Sequence, residues 1–505
     1  MASSYQALLN HLRTIHNLER TAGLLVWDQQ TYMPSAAAED RGEQLATISH
    51  LSHEMFTSDT TKRLLNEAQS EIDALPPDST EAIVLKVLNN DYTEATKIPS
   101  EFVGEMARVT TLAHEVWTRA RENDDFERFA PILQQIVDLT RRQAELLGYK
   151  DHPYDALINM YERGMTTQLL RYTFDMHRQP LITLIDAIQQ SHKENPVDDS
   201  CIHQYFDPEK QKQFANEIVE AIGFDFTRGR QDIAVHPFQI SITKNDIRLT
   251  TRFEDHFLNP ALFGLMHEAG HGMYEQGVAA ELAPTGLGTG TSLGVHESQS
   301  RMWENIIGRS LEFWQWAYPK LQATFPEQLG KTPLETFYAA INKVEPSFIR
   351  VEADEATYNL HILLRFDLEV ALIEGSLEVK DLPQAWNDRF EAYFGLRPPT
   401  DREGVLQDVH WSGGSIGYFP TYALGNLLSA QYSACAFAEH PQIKQEIANG
   451  NFETLNGWLR HNIHQHGRKY TSEELTVKVT GETIQSRDYL NYLHGKFGPL
   501  YNLEK

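Results

Sequence analysis

The chain has 505 residues, and that length could hold roughly two to four ordinary domains. Its formal net charge is −26, from 70 acidic and 44 basic residues, so nucleic acid and anionic membranes are disfavoured as partners. The sequence has no run of about 18 uncharged apolar residues and no apolar segment near its start, so we expect neither a membrane span nor a secretion signal.

The composition also bears on compartment and domain organisation. Its two cysteines, Cys201 and Cys435, are not spaced from each other or from a histidine as zinc ligands would be. Disulfide stabilisation is therefore not expected, which is typical of a reducing compartment and predicts a cytoplasmic protein. No linker, repeat or low-complexity run interrupts the chain, so residues 1–505 are predicted to form a single, mostly α-helical domain.

Helical periodicity dominates the first half of the chain. Trp27 and Asp28 follow the first helix and could line a groove, although we favour a buried aromatic residue beside a capping carboxylate. Charged residues between the apolar positions are expected to lie on solvated faces. The pattern predicts helices over residues 5–24, 40–70, 80–95, 100–123, 130–147, 153–192 and 210–222, and again from residue 228.

A β-hairpin is the one clear strand signal. Residues 238–243 and 246–253 each alternate between apolar and polar positions, and Lys244-Asn245 forms the turn between them. An extended peptide can pair with the exposed edge of such a hairpin. A purely structural hairpin fits the pattern equally well.

The hairpin precedes the segment His267-Glu-Ala-Gly-His271. Pro260 fits the first turn of a helix and Gly277 fits its end, so the segment should be helical. Two histidines four residues apart then project from one face and can bind one zinc ion. Glu268 between them can take a proton from the attacking water. An ordinary helix with two hydrogen-bonded histidines is the alternative.

A catalytic zinc site of this kind needs a third protein ligand and an open position for water. Glu297 stands near the start of the next predicted helix, from residue 295 to about 318, and could fold back onto the metal. Glu304 competes with it, whereas Glu275 and Glu281 are too close to the first helix to turn back easily. Spacing alone leaves this choice open. The glycine-rich segment between the two helices lacks the ending of a phosphate loop, so we expect a flexible connector.

The second half of the chain is again mostly helical. Charged residues around Arg350 stand inside an apolar pattern, which indicates a buried ion-pair network or a binding site. His410 and Tyr418 flank a glycine-rich loop and are candidate hydrogen-bond donors. Three nearby histidines (His461, His464 and His466) lack a suitably spaced carboxylate and are expected on a solvated helix face. Helices are predicted over residues 334–373, 383–395, 423–438, 440–450, 452–466 and 489–497.

Six short motifs, taken in order, make the chain resemble the thermostable carboxypeptidase family (M32, the carboxypeptidase Taq type). The segments WDQQTYMP and IHQHGRKYTSEEL are also similar to the family, so the resemblance covers essentially the whole chain. The motifs are His236-Pro-Phe238, Asp246-x-Arg248-x-Thr250, His267-Glu-x-x-His271, His296-Glu-Ser-Gln299, Ile349-Arg-x-x-Ala-Asp354 and Gly404-x-x-Gln-Asp-x-His-Trp411.

The resemblance implies a large helical metallopeptidase with a deep groove between two helical lobes. The N-terminal helices, residues 1–100 or so, would form a wall or lid of that groove. It further implies a homodimer and a divalent metal, with His267, His271 and Glu297 as ligands and Glu268 as general base. Zinc fits this donor set, and cobalt or manganese could occupy it. The expected activity is removal of single residues from peptide C-termini with broad specificity, poorest when the last residue is proline.

Further roles can be assigned within that expectation. We expect His410 and Tyr418 to stabilise the oxyanion, because related helical metallopeptidases use a His and a Tyr from a similar loop. Arg350 is the first choice for gripping the substrate carboxylate, since it stands in the Ile-Arg-x-x-Ala-Asp motif. Arg248 and His236 are further substrate-binding candidates. Arg248 could instead be held by an acidic neighbour, and His236 could simply pack beside its proline.

Two other functions remain open at this point. An endo-acting zinc oligopeptidase would share the metal core but would also cut peptides with a blocked C-terminus. A non-catalytic helical binding scaffold would bind no metal or would show no turnover.

Overall fold

The computed structural model describes residues 3–503 and bears out a mostly α-helical protein with a small β-sheet. The strands are β1 Gly229–Ile233, β2 Gln239–Thr243 and β3 Asp246–Thr251. The helices are α1 Ser4–Thr31, α2 Ala38–Thr57, α3 Asp59–Ile72, α4 Thr80–Lys97, α5 Ser100–Asn123, α6 Phe126–Leu147, α7 Pro153–Ile158, α8 Thr167–Glu194, α9 Pro208–Ala221, α10 Asn259–Gly277, α11 Leu293–Arg301, α12 Leu311–Thr324, α13 Pro326–Leu329, α14 Leu334–Ile341, α15 Tyr358–Glu374, α16 Leu382–Phe394, α17 Pro420–Glu439, α18 Ile443–Ala448, α19 Glu453–Asn462, α20 Ser472–Thr480 and α21 Arg487–Leu500.

The sheet has the strand order β1-β3-β2. Strands β2 and β3 pair antiparallel, so the predicted hairpin is present, with its turn at residues 244–245. The helix predicted from residue 228 onward is wrong, because β1 pairs there in parallel with β3. At its start, a Cβ on Gly229 would lie 2.6 Å from the backbone oxygen of Ile247, so the two backbones approach as only glycine permits.

The single helix predicted from residue 295 to 318 is broken in the structure. Helix α11 is followed by a π-helical turn, Met302–Ile307, before α12 begins. Gly308 follows the π-helical turn, and a Cβ at Gly308 would lie 2.7 Å from Cε of Met266 on α10. The chain thus packs closely against α10 just after the break, which no local pattern in the sequence reveals. Helix α20 lies in a segment for which no helix was predicted, and it begins with a capping box between Thr471 and Glu474.

The chain divides into two compact units, each made of three chain segments. The first comprises the residues up to 96 with 198–341 and 432–481, and it contains the sheet and α10. Its core includes leucine and valine side chains of α1, α3 and α4, packed together with Val278, Leu282 and Leu287.

The second unit comprises residues 97–197, 342–431 and those from 482 onward. Helix α15, buried from Tyr358 to Ile373 except at Asp367, packs against α6, α7, α8 and α16. The prediction of one domain over residues 1–505 stays a prediction, as does a groove with the N-terminal helices as its wall or lid. Residues 1, 2, 504 and 505 of that prediction lie outside the described residues.

Membrane insertion was not expected from the sequence. Among the helices of residues 3–503, none combines the length and the apolar character that crossing a membrane requires.

Candidate metal centre

Helix α10 holds the two histidines of the His-Glu-x-x-His segment on one face. His267 and His271 lie one turn apart, with their ring centroids 4.9 Å from each other. Gly270 between them has no side chain, and a Cβ there would lie 2.6 Å from the backbone oxygen of Gln299. The glycine therefore lets α11 pack directly on this face of α10 and brings Glu297 over the histidines.

Glu297 faces both rings. Its Oε2 atom lies 3.6 Å from Nε2 of His267 and 3.5 Å from Nε2 of His271. The ligand atoms of the three side chains lie within 4.8 Å of one another, and the described part of the chain holds no second such group of three metal-ligating side chains. Two imidazole nitrogens and a carboxylate oxygen are donors that divalent transition metals accept, so these residues fit a divalent metal ion.

Arginines and a further glutamate surround this group. Glu304 Oε2 lies 2.8 Å from Nδ1 of His267, and since a carboxylate only accepts, the ring donates there and keeps Nε2 bare. Arg301 donates to Glu297 Oε1 at 2.7 Å and to Glu304 Oε2 at 3.1 Å. Glu304 thus orients the ring of His267 through Nδ1, whereas Glu297 faces the Nε2 atoms of both histidines.

The buried carboxyl groups differ in their proton affinity. Burial would raise the pKa of Glu297, but Arg301 and the two histidines hold that pKa well below its usual value. In the same way, Arg301 and His267 overcome burial and lower the pKa of Glu304 to about 2. Burial raises the pKa of Glu268 to about 7, and the charges of Glu297 and Glu304 raise it further against the effect of His267. Glu268 can therefore both accept and release a proton near neutral pH.

The two histidines also differ. Burial lowers the pKa of His271 to about 4, which keeps its ring neutral. Burial would lower the pKa of His267 as well, but Glu297 and Glu304 raise it overall. The negative charges that attract a proton to His267 attract a metal cation for the same reason.

Arg350 lies in the second unit, in a buried network around one carboxylate. Its Nη2 atom donates to Asp408 Oδ1 at 2.8 Å, and its Nη1 atom donates to Tyr358 at 2.9 Å. Arg365 donates to the other oxygen of Asp408 at 2.7 Å. Burial would raise the pKa of Asp408, but the two guanidinium groups hold it far below its usual value. Two buried cations therefore share a single carboxylate.

His410 and Tyr418 lie together in the same unit. Their rings stack with centroids 5.5 Å apart, and the His410 ring also lies 4.6 Å from that of Phe419. Burial lowers the pKa of His410 to about 4 against the raising effect of Asp408, and the positive charges of Arg350 and Arg365 add to the lowering. A neutral His410 has one N–H to donate.

The other predicted residues lie in the first unit. Arg248 binds both oxygens of Asp246 at 2.9 Å, and its guanidinium lies 4.2 Å from the centre of the Trp27 ring. Trp27 is 6% exposed, which matches the buried-aromatic interpretation. Asp28 pairs with Arg41 at 2.7 Å. His236 is exposed, so it does not fit the interpretation of a packed histidine.

Comparison with known proteins shows the family to which the chain belongs. A family model described as carboxypeptidase Taq (M32) metallopeptidase matches residues 7–497. The chain belongs to this family. It is 40% identical to Thermostable carboxypeptidase 1 of Thermus thermophilus over 99% of both chains, and 37% identical to Carboxypeptidase 1 of Bacillus subtilis over 97% of both.

Solved structures give the same result. An M32 carboxypeptidase from Deinococcus radiodurans matches with a TM-score of 0.96 and 40% identity over 99% of both chains. A Pyrococcus furiosus carboxypeptidase matches with a TM-score of 0.94 and 36% identity, over 98% of this chain and 99% of that one. The resemblance drawn from the six motifs is confirmed. This M32 chain is a metal-dependent carboxypeptidase acting on peptides, which removes the scaffold alternative.

Several residues that contact the predicted ones in either unit were not assigned a role by sequence reasoning. Arg301 and His296 were not singled out for any role, and Asp408 appeared only inside a motif. Glu275 and Glu304 were considered as metal ligands, and each contacts an imidazole instead. The sequence offers one signal for such residues, which is that they are charged and lie close to the HExxH helix. Their partners can be identified only in the folded structure.

The glycine-rich segment between α10 and α11 is more tightly bonded than a flexible connector would be. Thr289 and Gly290 both donate to Oε1 of Glu275. Thr291 donates to the backbone oxygen of Gly467 at 2.6 Å, and Arg468 contacts Gly286. The segment is thereby fixed against the last turns of α10.

Proposed function

We propose that this carboxypeptidase releases amino acids one at a time from the free C-terminus of peptides. We further propose that His267, His271 and Glu297 hold its metal and that Glu268 is the general base. The observation that carries the proposal is the buried convergence of the three ligand atoms, within 4.8 Å, next to a carboxyl group whose pKa is about 7. Broad side-chain specificity and poor release of C-terminal proline are proposed from the family resemblance.

The metal is proposed to be zinc, with cobalt or manganese as alternatives that the same donors accept. When bound, such an ion polarises the scissile carbonyl and makes water more acidic. Elemental analysis of protein purified without added metal tests this choice, and a stoichiometric content of another ion would replace zinc.

Glu268 moves the proton in the proposed mechanism. Its carboxylate takes a proton from the attacking water and delivers it to the nitrogen of the leaving amine. A pKa of about 7 suits both steps, because the group is then neither too weak a base nor too weak an acid at neutral pH. Glu297 and Glu304 have lowered pKa values and therefore stay ionised, so neither can carry the proton.

His410 and Tyr418 are proposed to donate hydrogen bonds to the oxyanion formed during hydrolysis. The neutral state of His410 supports this role, since its ring keeps an N–H without carrying a charge of its own. Removal of one such donor costs roughly 10²–10³-fold in kcat. Tyr418→Phe should show a loss of that size with little change in KM, and an unchanged kcat would remove Tyr418 from the role.

Arg350 is proposed to bind the C-terminal carboxylate of the substrate. Support comes from the charge balance of its network, in which Arg350 and Arg365 share one carboxylate and leave one positive charge to be neutralised. A guanidinium binds a carboxylate through two parallel hydrogen bonds. Arg248 has the carboxylate of Asp246 to itself, whereas Arg350 shares Asp408 with Arg365. Of these two sharing arginines, Arg365 is 0% exposed and Arg350 is 6% exposed, so Arg350 is preferred. His236 remains a weaker candidate for substrate binding.

A time course by mass spectrometry tests the proposed activity. One mixed-sequence peptide would be supplied with a free and with an amidated C-terminus, each with and without a chelator. We expect a ladder that loses one C-terminal residue at a time, from the free peptide only and only without chelator. Internal cuts in both peptides would instead favour the endo-acting oligopeptidase.

We also propose that the protein is a cytoplasmic homodimer. The dimer is proposed from the family resemblance, and the compartment from two cysteines that are both free thiols. Light scattering of the purified protein tests the first proposal, where a monomer mass would contradict it. Fractionation of cells tests the second, where recovery outside the cytoplasm would contradict it.

A further inference from the structure

A third histidine, His296, contacts one of the two histidines proposed as metal ligands. Nδ1 of His271 lies 2.7 Å from Nδ1 of His296, and Nε2 of His296 lies 2.9 Å from Oε1 of Glu275. His271 and Glu275 are one turn apart on α10, and His296 stands on α11. The ring of His296 therefore bridges two successive turns of the helix that carries the histidine pair.

Hydrogen-bond polarity can be followed along this chain of three side chains. The backbone N–H of Gly290 donates to Oε1 of Glu275 at 2.9 Å, so this oxygen is an acceptor. His296 must then donate to it from Nε2, which leaves Nδ1 of a neutral His296 ring without a proton. That bare Nδ1 accepts from Nδ1–H of His271, and the Nε2 lone pair of His271 is left to face Glu297.

We propose that Glu275 and His296 are positioning residues that hold His271 in the one tautomer and orientation able to bind the metal. This inference rests on the proposed metal centre. It makes the two ligand histidines unequal, because His267 donates directly to the carboxylate of Glu304 at 2.8 Å. His271 instead donates to an imidazole, which is in turn held by a carboxylate.

The surrounding fold holds this arrangement in place. Thr289 Oγ1 donates to Oε1 of Glu275 at 2.7 Å, so the glycine-rich segment also holds the carboxylate. A Cβ on Gly290 would lie 2.6 Å from Cδ2 of His296 and 2.8 Å from Cε1 of Tyr274. Glycine at position 290 therefore leaves the space in which the His296 ring lies.

Metal affinity is the property that such residues change. Groups that hydrogen-bond to ligand histidines typically contribute about 10- to 100-fold to the affinity for the metal. His296→Phe keeps an aromatic ring but removes the acceptor for His271. His296→Asn places an acceptor oxygen close to the position of Nδ1. His464→Phe is a control, because His464 is a more deeply buried histidine of the same unit and bonds to Gln299 rather than to a ligand candidate.

The experiment measures zinc affinity of the full-length protein by competition with a chromophoric chelator, together with the melting temperature of the metal-free form. We expect His296→Phe to bind zinc about 10- to 100-fold more weakly than the parent. His296→Asn should recover most of that loss. His464→Phe should lower the melting temperature and leave zinc affinity unchanged.

Unchanged affinity in His296→Phe would overturn the proposal, and so would an equal loss of affinity in His464→Phe. If His296→Phe does not fold, Gly290→Ala gives the same test, because it displaces the ring without removing any hydrogen-bonding group. A parent protein that binds no zinc, cobalt or manganese would instead contradict the proposed metal centre itself. The experiment therefore separates a wrong positioning role for His296 from a wrong metal centre.

Discussion

Glu268 and Glu297 belong to one buried neighbourhood, yet their carboxyl groups have opposite proton affinities. Glu297 has Arg301 at 2.7 Å and both histidines beside it, so it stays ionised. Glu268 is buried near two other carboxylates, and its pKa rises to about 7. Neighbouring charges thus separate the residue that would hold the metal from the residue that would move the proton.

The first prediction concerns the general base. Glu268→Gln keeps the size of the side chain and removes its ability to take a proton, so kcat should fall by about 10²- to 10⁴-fold. Metal content should stay equal to that of the parent, because the three proposed ligands are intact. Steady-state kinetics and elemental analysis of the same preparation measure both quantities. Near-normal turnover in the metal-loaded variant would remove Glu268 from its role.

The second prediction concerns the binding of the substrate's C-terminal carboxylate by Arg350. Arg350→Ala should weaken binding of peptides with a free C-terminus by about 10- to 100-fold, since hydrogen bonds to charged groups contribute roughly 1.5–3 kcal/mol. Amidated peptides, assayed as competitive inhibitors, should lose much less affinity. Arg248→Ala is the matched control, and its effect on the two kinds of peptide should be equal. Equal effects of Arg350→Ala on both would transfer the role to another cation.

At the level of single elements, those that a local sequence pattern specifies were predicted well. Helix α10 was placed by Pro260 and Gly277, and the hairpin by its alternation. The missed elements depend on distant partners: β1 has a short, charged sequence and becomes a strand by pairing with β3. The π-helical turn after α11 precedes close packing of Gly308 against α10. The contact of His271 with His296 requires α10 and α11 to touch.

The third prediction tests how these two helices meet. Gly270→Ala would place a Cβ 2.6 Å from the backbone of α11, so we expect destabilisation of about 1–3 kcal/mol despite the better helix propensity of alanine. Gly264→Ala on the same helix is the control, because its Cβ would meet only Thr251 Oγ1, at 3.6 Å. Urea unfolding of the metal-free proteins measures both variants. Equal stability of Gly270→Ala and Gly264→Ala would contradict the close approach of α10 and α11.

At the scale of the whole molecule, the resemblance carried the prediction of family and activity, because its six motifs and the two further similar segments together extend from residue 27 to residue 475. Composition could not reveal that two compact units are each assembled from three separate segments. Nor could spacing pair Asp408 with Arg350 and Arg365, which lie far from it in sequence and meet it only in the folded unit. The motifs therefore predict the family and its activity, whereas the pairing of buried charges can be identified only in the folded structure.

The central claim is that one metal ion is held by His267, His271 and Glu297. Anomalous diffraction from crystals of the metal-loaded protein, recorded on both sides of the zinc absorption edge, tests it most directly. We predict one strong peak within about 2.0–2.2 Å of Nε2 of both histidines and of a carboxylate oxygen of Glu297. A peak bound by other side chains, with these three unliganded, would contradict the account.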